Sequence, residues 1–327
     1  MTLTSSLRTR MLQNAQSILD VHNCPVRING RNLLQVAKTI TGGDLTDWDF
    51  YLPAALRKDS LSPMYKSLDD TLMDVAWFFW AQSSLNYCYW YHDDKGALQH
   101  WVYKGKKGSS GLVVLMQELY ETTPLFGADT AAIRTYMGNL AASDMWDLPL
   151  PDARFDQLNT VFNHVGPATF KRIFAKAKQA DGSWHMSADL AKELADAYAP
   201  SFTDAGFLKR AQLALGMTGA NFIARGQKVT FDLTAYADYR VPQVLRHLGI
   251  IGYSAALSDT VDSQQTLHHQ SVEELSIRAA TIVACARLAK LTGLTDAHID
   301  AWLFIQTRNA AFEADAKPFH LTVTEAY

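Results

Sequence analysis

Apolar side chains at Leu7, Met11, Ala15, Ile18 and Val21 recur at close to helical spacing, so Leu7 to Val21 predicts an amphipathic helix. Leu33 to Ile40 repeats the pattern and stops at Gly42-Gly43, residues that commonly end helices. A loop around Pro53 and Pro63 leads to an aromatic helix over Leu72 to Ser84, which runs into a segment, Leu85 to Trp90, of extended character. The richest apolar run, Met73 to Trp90, is interrupted by Asp74, Gln82, Ser83, Ser84 and Asn86. A bilayer span wants about 20 predominantly apolar residues. The run therefore predicts a buried core helix.

Leu98 to Tyr103 alternates in character and predicts one short β-hairpin, broken by the Gly/Ser/Lys loop Lys104 to Gly111 before a helix from Leu112 to Tyr120. Backbone N–H groups in such a loop can cradle a phosphate, but the Walker spacing is missing and a plain turn is the commoner use. Asp156 to Asn163 and Phe170 to Lys178 read as helices around a tight turn, His164 to Thr169, in which Pro167 is pre-set for a first helical turn. The stretch resembles the helix–hairpin–helix element of DNA glycosylases, and an ordinary helix pair in a bundle is the commoner explanation. Further helices are predicted over Ser187 to Tyr198, Gly206 to Leu215, Val241 to Leu248, Val272 to Leu291 and Asp296 to Ile305. Without a repeat or a break in composition, residues 1–327 are expected to form one mainly α domain with a small β-hairpin.

Charge narrows the function. Thirty Lys and Arg against 33 Asp and Glu give a net charge of −3, which lacks the basic footprint of duplex binding. A 48% hydrophobic, 19% charged composition argues against disorder. Cys24, Cys88 and Cys285 form no CxxC pair, and the start of the chain lacks a signal-peptide stretch, so a soluble cytoplasmic protein is expected. None of the ten histidines lies in HExxH or beside a cysteine pair, which leaves zinc chemistry without support, and His268-His269 sits in a polar loop as a solvated pair. Neither a GxGxxG after a strand nor a GxSxG elbow is present.

What remains are polar residues set into apolar segments, where charges are disfavoured unless paired or functional. They are Asn86, the run Lys209-Arg210-Ala211-Gln212, the stretch Tyr236 to Gln243, and Asp300 ahead of Trp302 and Phe304. Each also has a structural explanation as a salt bridge or cap. Asp238, four residues before Pro242, is well placed to cap the helix that follows.

Taken together, WFFWAQSSLNYCYW (Trp77 to Trp90), FLKRAQL (Phe207 to Leu213), YADYRVPQVLRHLGIIGYS (Tyr236 to Ser254), EELSIRAATI (Glu273 to Ile282), IDAWLF (Ile299 to Phe304) and KPFHLTVTEAY (Lys317 to Tyr327) resemble the queuosine salvage family, the queuosine 5′-phosphate N-glycosylases. The resemblance runs in order from about residue 70 onward and is weak over residues 1–70. It implies a helical fold like that of helix–hairpin–helix DNA glycosylases and hydrolysis of the N-glycosidic bond of queuosine 5′-phosphate to release queuine. It implies no metal or organic cofactor, and a small-molecule substrate without stable nucleic-acid or membrane partners. A carboxylate suits this chemistry, since it can stabilise charge building on the ribose and activate water. A 7-deazapurine lacks N7, so its departure needs help elsewhere, and aromatic walls add about 1–3 kcal/mol of stacking per base.

By resemblance, Asp238, Asp300 and Lys209 are the expected catalytic residues and Tyr236 the aromatic that stacks on the base. Lys209 and Arg210 are expected to hold the 5′-phosphate, with Asn86, Trp90, Tyr239, Arg240, Gln243, Glu274, Arg278 and His320 completing the binding set. The chain departs from the family pattern at Ser83, Met217 and Ser276, each in place of an acid, and in its tail Glu325-Ala326-Tyr327. Asp204 and Asp232 are the candidates to compensate for the acids replaced at Met217 and Ser83. A catalytically weakened relative that binds a deazapurine without cleaving it is the alternative, and a helix–hairpin–helix nucleic-acid module is the third reading.

Overall fold

Segments with helical apolar spacing fold as helices in the computed structural model, which describes residues 5–40, 45–60 and 67–327. In chain order these are α1 (Leu7–Leu19), α2 (Gly30–Ala37), α3 (Leu68–Ser84), α4 (Gly108–Thr122), α5 (Thr130–Asn139), α6 (Pro151–Leu158), α7 (Gly166–Phe174), α8 (Ala188–Ala197), α9 (Lys209–Ala224), α10 (Arg240–His247), α11 (Ala255–Asp262), α12 (Val272–Thr292), α13 (Asp296–Gln306) and α14 (Ala310–Asp315). The helix stop at Gly42-Gly43 and the loop at Pro63 lie outside the described residues. Among the described residues, no helix is long and apolar enough to cross a membrane.

Two long helices organise the interior. Helix α3 is buried without interruption from Val75 to Ser84, and its aromatic side chains pack against α9 in the larger hydrophobic core. A helix that is apolar all round belongs inside. Helix α12 starts at the Ser271 cap, ends at Gly293 in the left-handed conformation, and packs against α1, α10 and α13 around a second core containing Leu245, Ile277 and Ile299.

The strands are short and pair in twos: β1 (Val26–Ile28) with β8 (Ile251–Tyr253), β2 (Trp90–His92) with β3 (Leu98–His100), and β4 (Val102–Tyr103) with β5 (Lys106–Lys107), all antiparallel. β6 (Trp184–Ser187) and β7 (Val229–Asp232) pair in parallel. The predicted single hairpin is thus two. The predicted loop Lys104 to Gly111 divides into a turn at Lys104-Gly105, with φ of 45° and 76°, the strand β5, and the first turn of α4.

Two further boundaries differ from expectation. Between α6 and α7 the chain does not leave the helix but widens into a π-helical stretch, Asn159–Val165, before Gly166 at φ 70°. Helix α9 runs nine residues past the expected end at Leu215, straight through Gly216 and Gly219. Those glycines make room for neighbours. A Cβ at Gly216 would lie 1.8 Å from the Tyr236 hydroxyl oxygen, and one at Gly219 would lie 2.5 Å from the Phe231 ring. Close packing, not a helix break, accounts for both glycines.

Candidate active site

The end of α3, the start of α9, the link from β7 to α10, and α13 converge on a cavity with about 800 Å³ of empty space, part of it open to solvent. Charged and amide side chains on its walls are those of Asn86, Lys209, Asp238, Arg240 and Asp300, set among aromatic rings. Sequence reasoning had singled out all five.

Lys209 opens α9 right after Leu208, which adopts a left-handed φ of 51°, and its backbone N–H donates to Asp204 Oδ2 at 2.9 Å. That junction turns the side chain inward, where Nζ donates to the Asn86 carbonyl at 3.3 Å. Burial pulls the ammonium down to about 8, against the opposing pull of Asp238 and Asp300. Asn86 in turn accepts the Tyr89 hydroxyl at 3.0 Å.

Asp238 holds the first turn of α10, where Oδ1 accepts the N–H groups of Arg240 at 2.7 Å and Val241 at 2.9 Å. The capping role read from the sequence and a place on the cavity wall therefore coexist. Asp300, on α13, is 5% exposed, and its Oδ1 accepts the Tyr236 N–H at 2.8 Å. Burial, reinforced by the negative charge of Asp238, pushes its carboxyl well above the usual range. The Tyr236 ring rests against the bare backbone at Gly216 and forms one wall. Tyr239 packs on Phe319 with ring centroids 4.7 Å apart, and Arg240 donates to Gln243 Oε1 at 2.8 Å.

Several predicted residues are not on the wall. Arg210, expected at the phosphate, is buried with its guanidinium donating to the carbonyls of Ser84 and Ser201 and lying over the Tyr87 and Phe202 rings. Those bonds commit it to the fold. Trp90 packs with Tyr87, Cys88 and Leu321, and Gln243 bridges Arg240 to the Lys317 carbonyl. Arg278 makes a two-pronged pair with Asp204 at 2.7 Å to each oxygen and lies 3.5 Å from Glu274. Its guanidinium sits 4.4 Å from the Tyr327 ring, which does line the cavity, so this buried set supports the wall from behind. His320 touches the Tyr327 hydroxyl at 3.2 Å, and burial pushes it down to about 3, which keeps it neutral.

Neither acid suggested as compensation reaches the cavity. Asp204 is engaged by Arg278, and Asp232 lies 4.0 Å from Arg8 beside a different groove. Met217 faces the cavity, whereas Ser83 is buried in α3 and Ser276 receives the Cys24 thiol at 3.5 Å.

The sequence reading missed Trp48, Tyr51, Tyr87, Tyr89, Phe304 and Tyr327, which supply most of the aromatic wall. Trp48 and Tyr51 lie in the weakly matching first 70 residues, where only the cluster Trp48-Asp49-Phe50-Tyr51 signals a packed site. An adjoining hollow shares Tyr89, Ser109, Tyr239, Arg240 and Phe304 with the cavity and adds Lys106, Lys107, Arg308 and the start of α4. Arg308 also donates to the Tyr51 hydroxyl at 2.8 Å, which ties the two spaces together. Among the described residues, no group of three or more His, Cys, Asp or Glu is placed to hold a metal ion.

The family model of the queuosine salvage proteins matches residues 65–327, the stretch that supplies every charged and amide side chain on the cavity wall. The chain belongs to that family. It is 30% identical over 196 residues to the queuosine 5′-phosphate N-glycosylase/hydrolase of Sphaerobacter thermophilus, covering 55% of this chain and 59% of that protein. It is 26% identical over 210 residues to the protein of the same name from Dictyostelium discoideum, covering 61% and 60%. With the Bos taurus protein of that name it is 25% identical over 279 residues, covering 76% and 80%. The match thus spans about three fifths of the length of the first two relatives.

Proposed function

We propose that this queuosine salvage protein is an N-glycosidase that hydrolyses queuosine 5′-phosphate and releases queuine. The observation that carries the reading is the pairing of Asp238 and Asp300, with Lys209 between them in charge, inside an aromatic cavity. The names of the relatives supply the substrate. Asp300, whose proton is held by burial and by its neighbour, delivers that proton to the departing heterocycle as the C1′–N bond breaks. The bonding electron pair leaves with the base. Asp238 stabilises the positive charge that builds on the ribose and accepts the proton of the water that attacks C1′. The base lies against the Tyr236 wall.

With Arg210 committed to the fold, the 5′-phosphate falls to the adjoining hollow, where Arg240 and Arg308 are charge-assisted donors beside the start of α4. One domain over the whole chain, a fold like that of helix–hairpin–helix glycosylases, and a cytoplasmic setting without nucleic-acid or membrane partners complete the proposal. The unpaired state of Cys24, Cys88 and Cys285 supports that setting.

The test is incubation of the purified protein with queuosine 5′-phosphate, queuosine and guanosine monophosphate, followed by chromatography for free base. Release of queuine from the first supports the proposal. Thermal stabilisation by queuine without any release would replace it with a binding protein.

A further inference from the structure

The loop after α3 is held in an unusual way. Arg210 donates to the carbonyl of Ser84, Arg154 to those of Leu85, Tyr87 and Cys88, and Lys209 to that of Asn86. Five consecutive carbonyls are thus engaged by three cations, each at most 3% exposed. Burying cations is costly unless their donors are satisfied, so the arrangement fixes this loop firmly, including Cys88 at φ 35°.

The residue so presented is Tyr87. Its ring lies 4.1 Å from the Arg154 guanidinium and 4.8 Å from that of Arg210, and the residue is fully buried yet lines the cavity. Its hydroxyl has no hydrogen-bond partner among the described residues. The phenols of Tyr51, Tyr89 and Tyr327, on the same wall, each have one, whereas that of Tyr236, pressed against Gly216, also lacks one. A buried polar group left without a partner is destabilising, and in a rigid, cation-flanked setting it calls for a partner that arrives with the ligand. Burial keeps this phenol protonated, at about 12, so the group is a donor.

We infer that Tyr87 is a substrate-binding residue whose hydroxyl donates a hydrogen bond to a ribose oxygen of the bound nucleotide. On one side of it in the chain, Asn86 lines the cavity with Lys209 and the carboxylate pair, and on the other, Tyr89 lines both the cavity and the cationic hollow. This rests on the nucleotide reading above. Tyr87→Phe keeps the ring between the two guanidiniums and removes only the hydroxyl. The affinity for queuosine 5′-phosphate is to be read as KM and that for free queuine as its inhibition constant, for both proteins, alongside thermal unfolding.

The expected result is a five- to tenfold weaker nucleotide affinity, unchanged queuine affinity, and a melting temperature equal to or above that of the parent. Unchanged nucleotide affinity would overturn the assignment, as would an equal loss for queuine or a drop in melting temperature, which marks a structural hydroxyl. If the parent protein binds neither compound, the nucleotide reading itself fails, a different outcome from a variant that binds as the parent does.

Discussion

Asp238 caps α10 with the carboxylate proposed to serve the chemistry, and the two roles can be separated by substitution. Asparagine caps helices about as well as aspartate, whereas alanine at a capping position costs about 1 kcal/mol. Asp238→Asn is therefore expected to unfold in urea within about 0.5 kcal/mol of the parent while losing both base release and tight queuine binding. Asp238→Ala should lose stability as well. An Asp238→Asn protein with full turnover would remove this residue from the chemistry.

Asp300 gives a pH signature. Its proton is held above the usual carboxyl range by burial and by Asp238, and the proposed step consumes that proton. Turnover should then fall as pH rises through the elevated value. Asp300→Asn should lower kcat by about 10²- to 10⁴-fold and abolish this limb in the kcat profile. A limb that survives the substitution belongs to another group.

At the scale of elements, α8 is legible because burial of one face imposes the spacing that sequence displays, and α12, buried without a break from Ser276 to Cys285, by its long apolar run. The parallel pair β6–β7 and the pair β1–β8 are not, since strands of three or four residues stabilised by distant partners leave almost no local pattern. The end of α9 was misplaced for a different reason. Glycine is a helix breaker by propensity, but at Gly216 the deciding fact is the phenol of Tyr236, brought close by a chain turn twenty residues later. Gly216→Ala is accordingly expected to push the Tyr236 ring toward the cavity. It should destabilise the protein by about 1–3 kcal/mol and weaken queuine binding, as read by urea unfolding and calorimetry. Parent-like binding in this variant would show that the ring is not a fixed wall.

Over the whole molecule, the site is assembled from residues between Leu45 and Tyr327, so its polar members are visible in sequence only as misfits in apolar runs. That signal picked out Asn86, Lys209, Asp238 and Asp300, all of which line the cavity. It did not separate Arg210 or Arg278 from them, because a buried arginine that holds carbonyls or a carboxylate looks the same in sequence as one that holds a ligand. The aromatic wall was hidden for the opposite reason: tyrosines and tryptophans are ordinary core residues until a cavity opens beside them.

The most direct test of the central claim is a crystal structure of the protein with queuine bound. The heterocycle is expected against the Tyr236 wall, with oxygens of Asp238 and Asp300 within hydrogen-bonding distance of the ligand. A base found elsewhere, or bound in this cavity out of reach of both carboxylates, would contradict it.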